Sequence, residues 1–134
     1  MRDYILNLDK NALIEHRIAK SIETSFAAKV LIDNSLFRHA ENRIYYSIFY
    51  LVSALATRYD FSTSKHKELL GWFNKNFVHT GIVSTELKDI YREAFENRQE
   101  GDYEDFRTFE LDEVTIHYER MLNFNEKITN LIRE

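Results

Sequence analysis

Residues 36–59 read LFRHAENRIYYSIFYLVSALATRY, without a glycine or a proline. Ile44, Ile48, Leu51, Val52, Leu55 and Tyr59 recur at steps of three and four. That spacing predicts one helix over about 36–59 with one apolar side. Such a helix needs neighbours to cover that side, and the flanking sequence supplies them. Upstream, Asn34-Ser35 is a break in which either residue is a good cap. Before it, Asp9 is a cap candidate for a helix over about 10–33. Its Ile14, Ile18, Ile22, Phe26 and Val30 recur every fourth residue, with Leu13 and Leu31 widening the stripe.

Downstream, Asp60-Phe61-Ser62-Thr63-Ser64 is a cluster of turn formers. A third helix is expected over 65–79, on Leu69, Phe73 and Phe77 with Leu70 and Trp72 beside them. Gly81 suits a left-handed C-cap, with Ile82 as its hydrophobic contact. Ser84 or Thr85 caps a fourth helix over 85–100, where Leu87, Tyr91, Ala94 and Arg98 share a face with Ile90, and Gly101 stops it. A fifth helix over 110–132 carries Val114, Tyr118, Met121, Ile128 and Ile132, with Phe124 nearby. Three helices of more than 20 residues with short connections pack most simply as an antiparallel bundle. The chain reads as one domain over residues 1–134.

Composition narrows the function classes. With no Pro and 3 Gly, the 134 residues lack the turn formers of a β-sandwich and any glycine-rich phosphate loop. With no Cys there is no disulfide, thiol nucleophile or thiolate zinc site. A net charge of −4 argues against general nucleic-acid affinity, so any such contact must use a local patch. No apolar run approaches the roughly 20 residues of a membrane span, and no signal-peptide pattern follows Met1. The expected location is cytoplasmic. Histidines 16, 39, 66, 79 and 117 include no i, i+4 pair, so neither a metal nor another cofactor is expected. No serine sits in a nucleophile elbow.

Arg98 continues an apolar stripe, where a solvated charge is out of place. One reading aims its planar fork into a groove to grip a phosphate or carboxylate. The plainer one pairs it with Asp102 one turn later. On the second helix Arg43, Tyr46, Ser47 and Tyr50 lie within one arc. This is either a surface for stacking bases and holding phosphates or a tyrosine-rich packing face with an arginine reaching out of it. His66, at the start of the third helix, suits a cap or an interhelical hydrogen bond. Trp72, Phe73, Phe77 and the tyrosines exceed what one bundle would bury, which leaves an apolar patch for a second subunit.

Four motifs in order, Asn42-Arg43-x-Tyr45-Tyr46-x-x-Phe49, Ser64-Lys65-His66, Phe73-x-x-x-Phe77-Val78-x-Thr80-Gly81 and Arg98-Gln99-x-x-Asp102-Tyr103, resemble the HEPN domain superfamily, in particular its small stand-alone bacterial and archaeal branch. The resemblance runs from about residue 10 to 132. It implies an antiparallel, up-and-down four-helix bundle with an additional short helix, forming a homodimer with a groove at or near the interface. It also implies a minimal nucleotidyltransferase as partner in some cases, as in toxin–antitoxin pairs. Active members are metal-independent ribonucleases in which an arginine is followed, after four to six intervening residues, by a histidine.

Arg98 falls at that arginine and Gln99 at the polar residue after it, but Tyr103 fills the histidine position, preceded by Asp102. Tyrosine, with an ordinary pKa of about 10, is a poor base near neutrality. The expectation is therefore a noncatalytic dimer that binds a nucleotide, an RNA or a partner nucleotidyltransferase through Arg43, Tyr46, Tyr50, His66 and Arg98. Two alternatives stand beside it. One is a ribonuclease using Arg98 with Asp102 and Tyr103. The other is a structural assembly module.

Overall fold

Five α-helices carry the chain in the computed structural model, which describes residues 2–134, with side chains from Asn7 onward. They are α1 (Arg2–Asp33), α2 (Phe37–Arg58), α3 (His66–Phe73), α4 (Thr85–Tyr103) and α5 (Leu111–Arg133). No strand occurs among the described residues, and no helix there is long and apolar enough to cross a membrane. The four long helices pack up-down-up-down, with the short α3 as the addition. Arg17 meets Thr57 and Ser21 meets Ser47, so α1 and α2 run antiparallel. Arg38 reaches Gly101 and Arg98 reaches Tyr46, so α2 and α4 do too. Arg120–Glu93 and Asn97–His117 set α5 antiparallel to α4. Glu41–His117 and Ser47–Asn125 show α5 parallel to α2 across the bundle. The all-helical bundle expected above is the observed one.

Several local expectations change. Helix α1 does not start at Asp9 but at Arg2, since nothing in residues 2–9 breaks a helix. Its buried line is Ile14, Ile18, Ser21, Thr24, Ala28 and Ile32, whereas Ile22, Phe26 and Val30 are exposed. The reason is geometric. With 3.6 residues per turn, a strict four-residue step over-rotates by about 40° each time, so a line of such steps leaves the face where it began. The observed line mixes steps of three and four and keeps facing α2. Tyr59 is likewise exposed, beside the ring of Phe77.

The breaks also work differently. Ser35 (φ 60°) and Asp60 (φ 62°) do not cap the following helices but take left-handed conformations that end the preceding ones. Leu36 N–H donates to Leu31 O and Ser35 N–H to Ile32 O. Phe61 and Asp60 repeat the pattern with Ala56 and Thr57. Both are Schellman closures, which satisfy the last helical carbonyls through backbone alone. Gly81 (φ 80°) plays its expected part after α3, which runs on into a π-helical turn at Asn74–Val78. Ile82, however, is exposed, and Val83 is buried in its place. Ser84 caps α4, its Oγ accepting from Leu87 N–H at 3.3 Å.

Gly101 does not stop α4. It is buried inside the last turns, where a Cβ would stand 3.2 Å from Phe109 Cε2 and 3.4 Å from Arg38 Cγ. The arginine that crowds it also sustains the helix. Arg38 Nη1 donates to Gly101 O at 2.9 Å and Nη2 donates to Arg107 O at 2.7 Å. A guanidinium aimed at terminal carbonyls satisfies groups that the helix itself cannot. Asp102 and Tyr103 therefore lie on helix rather than loop, one turn beyond Arg98.

Phe73 and Phe77 are buried and Trp72 is partly covered, stacked on Phe61 at 5.3 Å. Of the aromatic residues expected in surplus, Phe73 and Phe77 are thus taken into the bundle, while Tyr59 and Tyr103 remain exposed. The bundle absorbs the two phenylalanines because they lie between α2, α4 and α5: Phe73 meets Tyr91 and Phe124 at 5.4 and 5.9 Å.

Candidate functional site

The buried face of α4 runs through Leu87, Ile90, Tyr91 and Ala94, and the next step along it is Arg98. The guanidinium is thereby turned toward α2. Its Cζ stands 5.4 Å from the ring centre of Tyr46, 5.7 Å from that of Tyr103 and 5.9 Å from that of Tyr45. Nη2 donates to Tyr46 Oη at 3.2 Å. Nε lies 2.9 Å from Asp102 Oδ2, but its N–H is not directed at that oxygen, so the pair is a Coulomb contact more than a directed hydrogen bond. The two side chains retain 16% and 26% exposure. The plainer reading of Arg98, an ion pair with Asp102, is therefore present, at a site still open to water.

Asn42 ties this pair to a second arginine. Its Nδ2 donates to Asp102 Oδ2 at 3.1 Å, while its Oδ1 accepts from Arg43 Nε and Nη2 at 3.0 and 2.7 Å. Arg43 Cζ lies 5.1 Å from the centre of the Tyr46 ring. One tyrosine ring thus has a guanidinium over it from each of two helices. Two arginines against the single carboxylate of Asp102 leave the cluster with a net charge of +1.

His66 and Tyr50 extend the cluster. His66 Nδ1 is 2.7 Å from Tyr45 Oη, and its ring stacks on Phe49 at 4.4 Å. This is the interhelical hydrogen bond expected of it. Burial first, then the charge of Arg98, lowers its pKa and keeps the ring neutral. Burial raises the phenol of Tyr45, so it stays protonated. That buried O–H needs an acceptor, and His66 Nδ1 is the one at hand. The imidazole proton is then left on Nε2. Tyr50 lies 5.8 Å from Tyr46 along α2. Ser47, placed on the same arc by spacing, is instead buried and bonded to Ser21. A residue three or four steps from two surface neighbours still falls inward when a second helix covers its edge of the arc.

Tyr103, at the position of the family histidine, is 72% exposed. The arrangement can hold an anion against a planar guanidinium and an aromatic ring. A phosphodiester cleavage would still need a proton acceptor beside Arg98, and Asp102 is the carboxylate there. Among the described residues, no three His, Asp or Glu side chains converge as a metal site.

Sequence reading missed Asn42 as the link between the arginines and Tyr45 as the partner of His66. It also missed Glu41, fully buried, whose Oε1 is 2.6 Å from His117 Nδ1. A carboxylate amid the apolar positions of α2 was the available signal for the last.

Comparison with known proteins agrees with this architecture. A UPF0332 protein of Thermotoga maritima is 38% identical over 126 residues, which cover 94% of this chain and 96% of that protein. Two proteins of Methanocaldococcus jannaschii, each named "Putative toxin", are also similar. One is 34% identical over 104 residues, covering 78% of this chain and 71% of its own. The other is 29% identical over 130 residues, covering 97% and 96%. The HEPN domain family model matches residues 14–134, a span that holds α2, α4 and α5 whole, α1 from Ile14 onward and every residue of the Arg98 cluster, and the chain belongs to that family.

Proposed function

We propose that this protein is a noncatalytic HEPN domain that binds a phosphate ester, free or within RNA, at Arg98, Arg43 and Tyr46. The observation that carries the reading is the pair of guanidiniums over one tyrosine ring, balanced by one carboxylate. Arginine forks match phosphate oxygens in pairs, and the ring offers a base a stacking face. Membership of the HEPN family fits a role directed at nucleotides or RNA, and two relatives are named as putative toxins.

The test is binding of a fluorescent oligoribonucleotide, beside incubation with total RNA. Wild type is expected to bind, and Arg98→Ala to bind about tenfold more weakly, the worth of a charge-assisted hydrogen bond. Arg98→Lys recovers part of this, because an ammonium cannot form the fork. Equal binding by Arg98→Ala would sink the reading. Total RNA is expected to stay intact, since Tyr103 stands where the family's ribonucleases carry their histidine. Cleavage by wild type that Arg98→Ala abolishes would replace this reading with the ribonuclease.

The homodimer belongs to the same proposal. Its support is the exposed line of Ile22, Phe26 and Val30 on α1, apolar side chains with nothing over them in one chain. Light scattering is expected to give twice the 16.1 kDa of one chain. A sharp peak at the mass of one chain would remove the dimer.

A further inference from the structure

A second feature lies on the other side of Tyr50. The segment between α2 and α3 stands off from α1 and leaves a groove of about 460 Å³. That volume is within the usual range of small-ligand sites. His16, Arg17, Lys20 and His66 line it, and no carboxylate does so among the described residues. The chain as a whole carries 22 acidic residues against 18 Lys and Arg, so the groove has the opposite balance.

Its cations are also unneutralised. Arg17 is half-buried and donates from Nη1 to Thr57 Oγ1 at 2.6 Å and weakly to Ser53 O at 3.4 Å, both neutral acceptors. No ion pair involves Arg17 or Lys20 among the described residues. A partly buried guanidinium without a counter-ion is costly to maintain, and burial lowers its pKa accordingly. Lys20 Nζ stands 4.5 Å over the ring centre of Tyr50. His66, with Nδ1 engaged by Tyr45, has Nε2–H left as a donor.

We infer that this groove is a separate binding site for one nucleotide unit, with its phosphate on Arg17, Lys20 and His66 and its base against Tyr50. The cations, the N–H donor and the aromatic face are the three elements such a unit needs. The site does not depend on the role of Arg98. It adjoins the Arg98 cluster through Tyr50, 5.8 Å from Tyr46, and through His66, whose ring lies 5.6 Å from that of Tyr46. The nucleotide unit can be a free mononucleotide or one residue of an RNA strand.

The test uses fluorescence anisotropy with two probes: labelled adenosine monophosphate and a labelled oligoadenylate of about ten nucleotides. Lys20 is exposed, so Lys20→Ala leaves the fold intact. It is expected to weaken binding about fivefold and to flatten the salt dependence for the oligonucleotide by about 0.7 in log–log slope. Lys20→Arg keeps the charge and is expected to bind as wild type. Tyr50→Leu is expected to lose about tenfold, the worth of one stacked base. Weakening with both probes assigns the site to the nucleotide itself, and weakening with the oligonucleotide alone assigns it to a nucleotide within RNA. Wild-type affinity for both probes in Lys20→Ala and Tyr50→Leu overturns the inference. If Arg98→Ala alone then weakens binding, the Arg98 reading stands without this site. If Lys20→Ala weakens binding and Arg98→Ala does not, this site stands without the Arg98 reading.

Discussion

His117→Ala is expected to lower the unfolding free energy by about 3 kcal/mol at neutral pH, the cost of leaving a buried carboxyl without its hydrogen-bond partner. Glu41 has no exposed surface, Oε1 sits 2.6 Å from His117 Nδ1, and Oε2 is buried without a hydrogen-bond partner. Burial raises the Glu41 carboxyl above its ordinary 4.5, and the hydrogen bond and charge of His117 partly bring it back down. A raised carboxyl means that the folded state holds a proton the unfolded state has released. Stability from this group is therefore full below about 4.5 and falls as pH rises through the folded value.

Removing His117 takes away what lowers that value, so the fall extends to higher pH and the deficit of the variant grows from pH 5 to pH 8. Chemical denaturation across that range reads it. Glu41→Gln in the same background removes the charge and keeps the shape, and is expected to recover at least about 1 kcal/mol at pH 8. A deficit that shrinks with rising pH, or no recovery by Glu41→Gln, would show that Glu41 does not carry a buried charge.

Asp102→Asn is expected to tighten phosphate-ester binding about fivefold. In wild type a phosphate must compete with the Asp102 carboxylate for Arg98, at 2.9 Å from Nε. The amide removes the competing charge and keeps the acceptor for Asn42. An i, i+4 pair with both side chains partly exposed contributes less than about 1 kcal/mol, so the melting temperature is expected to move little. Adding Arg98→Ala should erase the gain, because the released guanidinium is its source. The structural-module reading predicts the reverse. There Asp102→Asn leaves a guanidinium without its partner, lowers the melting temperature by several degrees and changes no ligand affinity. Anisotropy and thermal unfolding on one preparation separate the two.

Much of the site was legible because it rests on helical spacing. Arg98 following Ala94 on an apolar face, Asp102 one turn on, and Arg43, Tyr46 and Tyr50 on one arc are consequences of 3.6 residues per turn. The residues that complete it were not legible, because they come from other elements. Lys20 and Tyr50 lie 30 positions apart, as do the histidine and carboxylate of the core at 117 and 41 at a still greater distance. No local pattern records which side chains two packed helices will bring together.

The absence of proline, the few glycines and the apolar steps of three and four residues were enough to determine five helices and their order, since helix formation is set by neighbours within a turn or two, though not where α1 starts or α4 ends. Tertiary packing alone decided which side of α1 is inside, because a line of four-residue steps drifts around the helix and only contact with α2 selects the buried edge. It also carried α4 through Gly101, because Arg38 of another helix supplies the hydrogen bonds that the chain's own end lacks.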